Sequence, residues 1–88
     1  MIYSNKRSEI EIINIILNTA QNEVKKTYLM YQTNLCYNHF SQYISFLLEK
    51  DLICKDKTKS SSDVYYTTKK GREVLSNLNL LFKIINEN

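Results

Sequence analysis

Polar side chains recur at helical spacing in the middle of the chain, where the sequence reads YNHFSQYISFLLEK. Asn38 and Gln42 are four residues apart, so a helix would carry both on the same face. Amide groups donate and accept hydrogen bonds at once, and they pair bidentately with adenine in the major groove of DNA. Tyr37 stands at the predicted helix start, where the positive end of the helix dipole favours a phosphate. We interpret Tyr37, Asn38, His39, Ser41 and Gln42 as candidate DNA contacts.

Positive charge is concentrated in the segment from Lys50 to Arg72. Seven basic residues face three acidic ones there, so the segment carries +4 within a chain whose net charge is +3. Clustered positive charge attracts polyanions, although a solvated loop is the simplest reading of the charge taken alone. Small hydroxyl side chains beside lysines approach phosphates closely. The candidate contacts to a nucleic-acid backbone are Lys25, Lys26, Thr27, Lys55, Lys57, Lys59, Ser60, Lys69 and Lys70.

The chain offers no set of residues for catalysis or metal binding. Its single histidine, His39, stands three residues from Cys36, and Cys54 is far away in sequence. Two or three scattered ligands do not make a zinc site, and both cysteines are predicted to be small buried apolar residues. We therefore expect no enzyme activity, no metal and no cofactor, and we see no signature of a small-molecule ligand.

The length of 88 residues predicts one domain, spanning residues 1–88. No apolar run approaches the roughly 18 residues that a membrane span needs. The first residues, MIYSNKRSEIEI, lack the apolar core and cleavage site of a secretory signal. These observations favour a cytoplasmic location, and the DNA hypothesis adds association with the nucleoid.

Hydrophobic periodicity predicts the elements that hold the polar side chains in position. Apolar residues three and four apart predict helices over residues 7–20, 27–33, 37–50 and 68–86. Thr27 is the predicted cap of the second helix, while Asn34 and Asp51 are predicted to end the second and third. Two β-branched and aromatic runs, 52–54 and 64–66, flank a lysine- and serine-rich segment and predict a hairpin.

The order of these elements predicts the fold class. Two helices joined by a short turn describe a helix-turn-helix, and a hairpin directly after the second helix makes it a winged helix. The predicted fold is mostly α with a small antiparallel β-hairpin. The predicted core-facing residues are Ile10, Ile12, Ile13, Ile16, Leu17, Ala20, Leu29, Met30, Phe40, Ile44, Leu47, Leu48, Val74, Leu75, Leu78, Leu81, Phe82 and Ile85.

The last helix carries more apolar surface than one core is expected to cover. Its apolar residues follow spacings of four, three and four, which is the rhythm of a coiled coil, and a second stripe lies to one side. One alternative is that the wide stripe wraps the first helix within a monomer. We favour a homodimer, with an interface formed by Val74, Leu78, Leu80, Leu81, Ile84 and Ile85.

Four motifs follow one another along nearly the whole chain. They are Arg7-Ser8 with Glu11-Ile12-Ile13 and Ile16-Leu17; Tyr31 with Asn34-Leu35-Cys36-Tyr37; Tyr43-Ile44 with Leu47, Lys50 and Leu52-Ile53; and Tyr66-Thr67-Thr68 with Lys70-Gly71. With them the chain resembles the small archaeal winged-helix transcriptional regulators. Cys36 stands where that family has a serine before the recognition helix, and Asp51 stands where it has a glycine after it.

The resemblance implies a DNA-binding module, often dimeric, in which some relatives use a C-terminal helix as a coiled coil. Together with the residues above, it favours binding of double-stranded DNA by a transcriptional regulator or chromatin-associated protein. In this hypothesis the third helix enters the major groove, and the basic hairpin, the wing, contacts the backbone. The alternative is a winged-helix module that docks other proteins and touches no nucleic acid.

Overall fold

The structure is a computed structural model that describes residues 9–56 and 64–86. The elements in chain order are α1 (Glu9–Thr19), β1 (Val24–Lys25), α2 (Lys26–Thr33), α3 (Tyr37–Glu49), β2 (Ile53–Asp56), β3 (Val64–Thr67) and α4 (Lys69–Asn86). The four helices and the hairpin were all predicted. The predicted start of the first helix and the tip of the hairpin, with Lys57, Lys59 and Ser60, lie outside the described residues.

Helices α2 and α3 form the helix-turn-helix, and Asn34 closes the first of them as predicted. Asn34 has the left-handed backbone conformation, with φ of 58°, and its N–H donates to the carbonyls of Met30 and Tyr31 at 3.0 and 3.2 Å. The Thr27 cap was wrong, because α2 begins one residue earlier. Lys25 is the capping residue, and within the described residues it makes no side-chain capping hydrogen bond.

The sheet has three antiparallel strands in the order β1-β3-β2, one strand more than the predicted hairpin. β1 is only two residues long, so it has no alternating pattern from which to predict it. It pairs Val24 with Tyr65 and Lys25 with Val64. Val64 also pairs with Asp56 of β2, so Lys25 lies level with the end of the sheet where β2 and β3 lead into the wing tip.

Thr67 and Thr68 fasten the hairpin to the helices. Thr67 is buried, its N–H donates to the carbonyl of Ala20 and its hydroxyl to that of Leu17, both at 2.7 Å. The Thr68 hydroxyl donates to the Asp51 carbonyl and accepts from the N–H of Gly71, which satisfies a free donor in the first turn of α4. These bonds give the Thr-Thr pair a structural role.

Gly71 allows the first turn of α4 to lie against Leu52, the residue just before β2. A Cβ at this position would overlap the carbonyl oxygen of Leu52 and approach Cγ2 of Thr67 to 2.7 Å. The Leu52 carbonyl also accepts the N–H of Thr68 at 3.0 Å, and this hydrogen bond holds the two backbone segments in place. The only glycine in the chain is therefore required by close packing.

One core lies between α1, α2, α3 and the sheet. Its fully buried side chains include Ile16, Leu17, Leu29, Phe40 and Leu47. The sequence pattern predicted more core-facing helix residues than the core buries. Four of them are exposed: Ile10, Leu48, Leu81 and Ile85. The two cysteines are unpaired, and Cys36 is exposed, so the prediction that it is buried was wrong.

Helix α4 packs on α1, with a direct side-chain contact as far along as Asn79. Leu75 is buried and Val74 packs against the core, while Asn79 accepts a hydrogen bond of 3.0 Å from the Asn14 side chain. Beyond this point α4 exposes Leu80, Leu81, Ile84 and Ile85, which are 49–66% accessible. Among the described residues, no helix is both long and apolar enough to cross a membrane.

Candidate nucleic-acid interface

The outer face of α3 is accessible along its whole length. Its inner face is anchored by the buried Phe40, Ile44 and Leu47, so the opposite side chains must point outward. Asn38 and Gln42 are both exposed, as the predicted contact set requires. Cys36 is the capping residue of α3 and, among the described residues, contributes no side-chain capping bond. The first backbone N–H groups of α3 thus lack the partner that a serine would supply.

The exposed ridge of α3 is longer than the predicted contact set. Asn38, Gln42, Ser45 and Glu49 follow one another at spacings of four, three and four residues, so they share one line along the helix. Three of them are neutral and can donate hydrogen bonds. Glu49 is an acid at the far end, where a carboxylate accepts from cytosine but repels a phosphate. A bound duplex would therefore meet the first three turns of α3 most readily.

Lys26 of α2 reaches the first residue of α3. Its Nζ lies 5.3 Å from the centroid of the Tyr37 ring, a distance at which a cation is attracted to the ring face. Tyr37 itself is 58% accessible, so the pair remains at the surface. The contact brings an ammonium group and a phenol to the start of α3, where the helix dipole also favours an anion.

The environment of Tyr37 favours negative charge at its hydroxyl. The Ser41 hydroxyl, followed by the positive charge of Lys26, lowers the pKa of Tyr37 below its ordinary value of 10.0. Ser41 Oγ is buried and makes no hydrogen bond of good geometry with the described residues. Ser41 and Lys26 both lower the pKa of Tyr37, so the surroundings of the Tyr37 hydroxyl stabilise a negative charge.

Lys25 belongs to the sheet, where its partner Val64 is the first residue of β3 after the wing tip. With Lys26 and Thr27 it remains a predicted contact to a nucleic-acid backbone. Lys25 and Lys26 consequently form a basic connection between the end of the sheet and the start of α3.

The other predicted backbone contacts fall into two groups. Lys55 lies on β2 and is half-buried, opposite Tyr65 of β3. Lys69 and Lys70 are exposed in the first turn of α4. The structure thus brings Lys25, Lys26 and Tyr37 together in one region, whereas Lys69 and Lys70 stand at the start of a different helix.

A cleft between α1 and α3, which the sequence did not predict, lies beside the exposed ridge. It has a volume of about 810 Å³ and is bordered by His39 and Gln42 on one side and by Glu9 on the other. These residues come from helices that lie far apart in the sequence, so no local pattern predicts the cleft. No group of three or more potential metal ligands occurs among the described residues.

A family model for the winged helix-turn-helix matches residues 6–86. The chain belongs to this family. The winged helix-turn-helix match covers nearly all of the chain, and it confirms the fold class that the order of elements predicted. The assignment also agrees with the expectation that the chain is not an enzyme.

Several known proteins are similar to this winged helix-turn-helix chain. The uncharacterized protein MJ0287 of Methanocaldococcus jannaschii is 39% identical over 82 residues, which cover 92% of this chain and 79% of that protein. The crystal structure of Sso10a-2, a DNA-binding protein from Sulfolobus solfataricus, has a TM-score of 0.78 at 20% identity, covering 89% of this chain and 81% of that one. F93 from STIV, a winged-helix DNA-binding protein, has a TM-score of 0.76 at 18% identity, covering 94% and 98%.

Proposed function

We propose that this protein binds double-stranded DNA as a transcriptional regulator or chromatin-associated factor. In this proposal the exposed ridge of α3 enters the major groove, which is about 12 Å wide and admits one helix. Asn38 and Gln42 read base edges, and the wing lysines contact the phosphate backbone. The similar proteins Sso10a-2 and F93 are described as DNA-binding, and they support the proposal through their shared fold.

The observation that carries the proposal is the basic connection between the sheet and α3. Lys25 is level with the end of the sheet at Val64, and Lys26 contacts the Tyr37 ring at 5.3 Å. A duplex whose groove receives α3 has phosphates on both sides of that groove. A pair of lysines beside the start of α3 can contact the phosphates on one side of the groove. Such contacts fix the position of the protein on the duplex but do not read its sequence. On this view the protein is cytoplasmic and bound to the nucleoid.

We further propose that the protein acts as a homodimer through the second half of α4. Leu80, Leu81, Ile84 and Ile85 are large, apolar and exposed, and they follow one another within two helical turns. Burial of such a contiguous surface against a second copy removes it from water. A two-fold dimer presents two α3 helices, which suits half-sites about 34 Å apart or wider.

A salt titration with a duplex of random sequence tests DNA binding directly. We expect binding in about 50 mM salt and a steep loss of affinity as salt rises, since each phosphate contact releases about 0.9 of a counterion. Fluorescence anisotropy of a labelled duplex measures this. No binding in about 50 mM salt would contradict the proposal and favour the alternative, a module that docks other proteins.

A further inference from the structure

The cleft between α1 and α3 has the size and lining of a small-molecule site. Its volume of about 810 Å³ falls within the range of ligand pockets. Ile12, Ile13 and Leu35 line it together with the rings of Tyr43 and Phe46. Phe46 is 42% accessible, which is unusual for a phenylalanine on a helix that packs on a core. A flat apolar body would cover this ring and remove it from water.

The described residues that line the cleft carry a negative charge. Glu9 is the one ionised side chain among the described residues that line it; the polar remainder consists of Thr33, Asn34, His39 and Gln42, besides the Tyr43 hydroxyl. Burial and then the charge of Glu9 raise the pKa of Tyr43, so the carboxylate lies near enough to the Tyr43 hydroxyl to influence it. A cation is therefore favoured there over an anion.

The ring of Phe46 already has a cation near it, the ammonium group of Lys50. Lys50 Nζ lies 5.9 Å from the centroid of the Phe46 ring, although Lys50 does not line the cleft. Its charge opposes the entry of a second cation close to that ring. The position nearest Glu9 is thus the favourable one for an ammonium group, with the aromatic body directed toward Phe46.

We propose that this cleft binds a small molecule that has a flat aromatic body and one ammonium group. Phe46 and Tyr43 contact the aromatic body, and the Glu9 carboxylate pairs with the ammonium. His39 and Gln42 border the same cleft and belong to the DNA-contact set, so the ligand competes with DNA. This second part rests on the proposed function, whereas binding of the ligand does not.

Three indole compounds of matched shape and different charge test the site without DNA. Tryptamine is cationic, tryptophol is neutral and indole-3-acetate is anionic. We expect tryptamine to shift the amide resonances of His39, Gln42 and Phe46 saturably, with a millimolar Kd that suits a ligand of this size. Tryptophol should bind more weakly and indole-3-acetate more weakly still. The same nuclear magnetic resonance spectra report whether each variant is folded.

Variants of single residues distinguish the effect of the Glu9 charge from non-specific binding of the ligand. Glu9→Gln should weaken tryptamine binding by roughly fivefold and remove its advantage over tryptophol, as expected for a partly exposed ion pair. Glu73→Gln, a matched change on α4 away from the cleft, should leave the Kd unchanged. Lys50→Gln should strengthen tryptamine binding, because it removes the opposing charge beside Phe46.

Three results with the indole compounds overturn the proposal. These are no saturation by about 10 mM tryptamine, equal affinity for all three compounds, or a preference for indole-3-acetate. Shifts of cleft resonances that depend on protein concentration without ligand would mean that a second copy occupies the cleft, which also overturns it.

Competition with DNA is measured separately. Tryptamine should weaken duplex binding by the wild type, and roughly fivefold more tryptamine should be needed for the same effect on Glu9→Gln, which also controls for tryptamine bound to the duplex. Tryptamine binding without any competition would overturn the coupling alone. If the protein binds no duplex at all, the proposed function fails while the indole series still decides the ligand site.

Discussion

Lys26 of α2 lies with its Nζ 5.3 Å from the centroid of the Tyr37 ring, and this contact joins the starts of the two helices of the helix-turn-helix. Lys25, the preceding residue, is paired in the sheet with Val64 at the end nearest the wing tip. A basic surface therefore runs from the wing side of the sheet to the first turn of α3. DNA binding as we propose it depends on this continuous basic surface.

The Lys26→Met variant should weaken binding to every duplex by a similar factor. Methionine keeps the apolar stem over Tyr37 and removes the charge, so the loss reports the phosphate contact. The slope of log affinity against log salt should become shallower by about 0.9. Lys83→Met on α4 is the matched control and should leave the slope unchanged. A loss confined to particular sequences would contradict the assignment of Lys26 to the backbone.

Replacing Asn38 and Gln42 together with alanine should relax sequence preference. Both side chains are exposed on the ridge, so their removal leaves no cavity in the core. Each bidentate amide contact is worth about 1–3 kcal/mol of discrimination between bases. Selection of bound sequences from a randomised duplex library measures the change, with Asn22→Ala as the exposed control. An unaltered set of selected sequences would show that these amides do not read bases.

The Cys36→Ser variant should stabilise the protein. Cys36 is exposed and caps α3 without a side-chain hydrogen bond among the described residues, whereas serine would accept one from the first turn. A gain of about 1 kcal/mol is expected for this cap. For a domain of this size, thermal unfolding should then occur about 4–8 °C higher. Cys36→Ala should give no such rise, and equal midpoints for serine and alanine would refute the capping explanation.

Two negative charges on the exposed face of α4 should dissociate the proposed dimer. Leu80 and Ile84 are each 58% accessible in the monomer, so Leu80→Glu with Ile84→Glu removes little from its core. Two carboxylates in a subunit interface would be costly to desolvate. Sedimentation velocity should report a dimer for the wild type and a monomer for the variant, with similar circular dichroism. A monomeric wild type would contradict the dimer.

Local patterns predicted most of the helices and turns, because their causes are local. Asn34 and Asp51 both have positive φ, at 58° and 63°, and short polar side chains tolerate that conformation better than most others do. The spacing of Phe40, Ile44 and Leu47 likewise defined the inner face of α3. Each of these features depends only on residues within a few positions of one another.

The features that local patterns missed depend on contacts between distant segments. β1 has two residues and exists because β3 offers it a pairing edge. Ile10 and Leu48 continue apolar stripes beyond the reach of the core, so periodicity alone overestimated their burial. The cleft is lined by α1, by α3 and by the end of α2 with the turn after it, so Glu9 and Phe46 lie at one site although 37 positions separate them in the sequence.

The salt dependence of DNA binding by the wing variant tests the central claim most directly. Lys55, Lys57 and Lys59 are changed together to alanine, and binding to a random duplex is compared with that of the wild type and of Lys83→Ala. The account predicts weaker binding to every sequence and a slope of log affinity against log salt that is shallower by up to about 2.7. A triple variant whose slope equals that of the wild type would contradict the claim that α3 and the wing hold the same duplex.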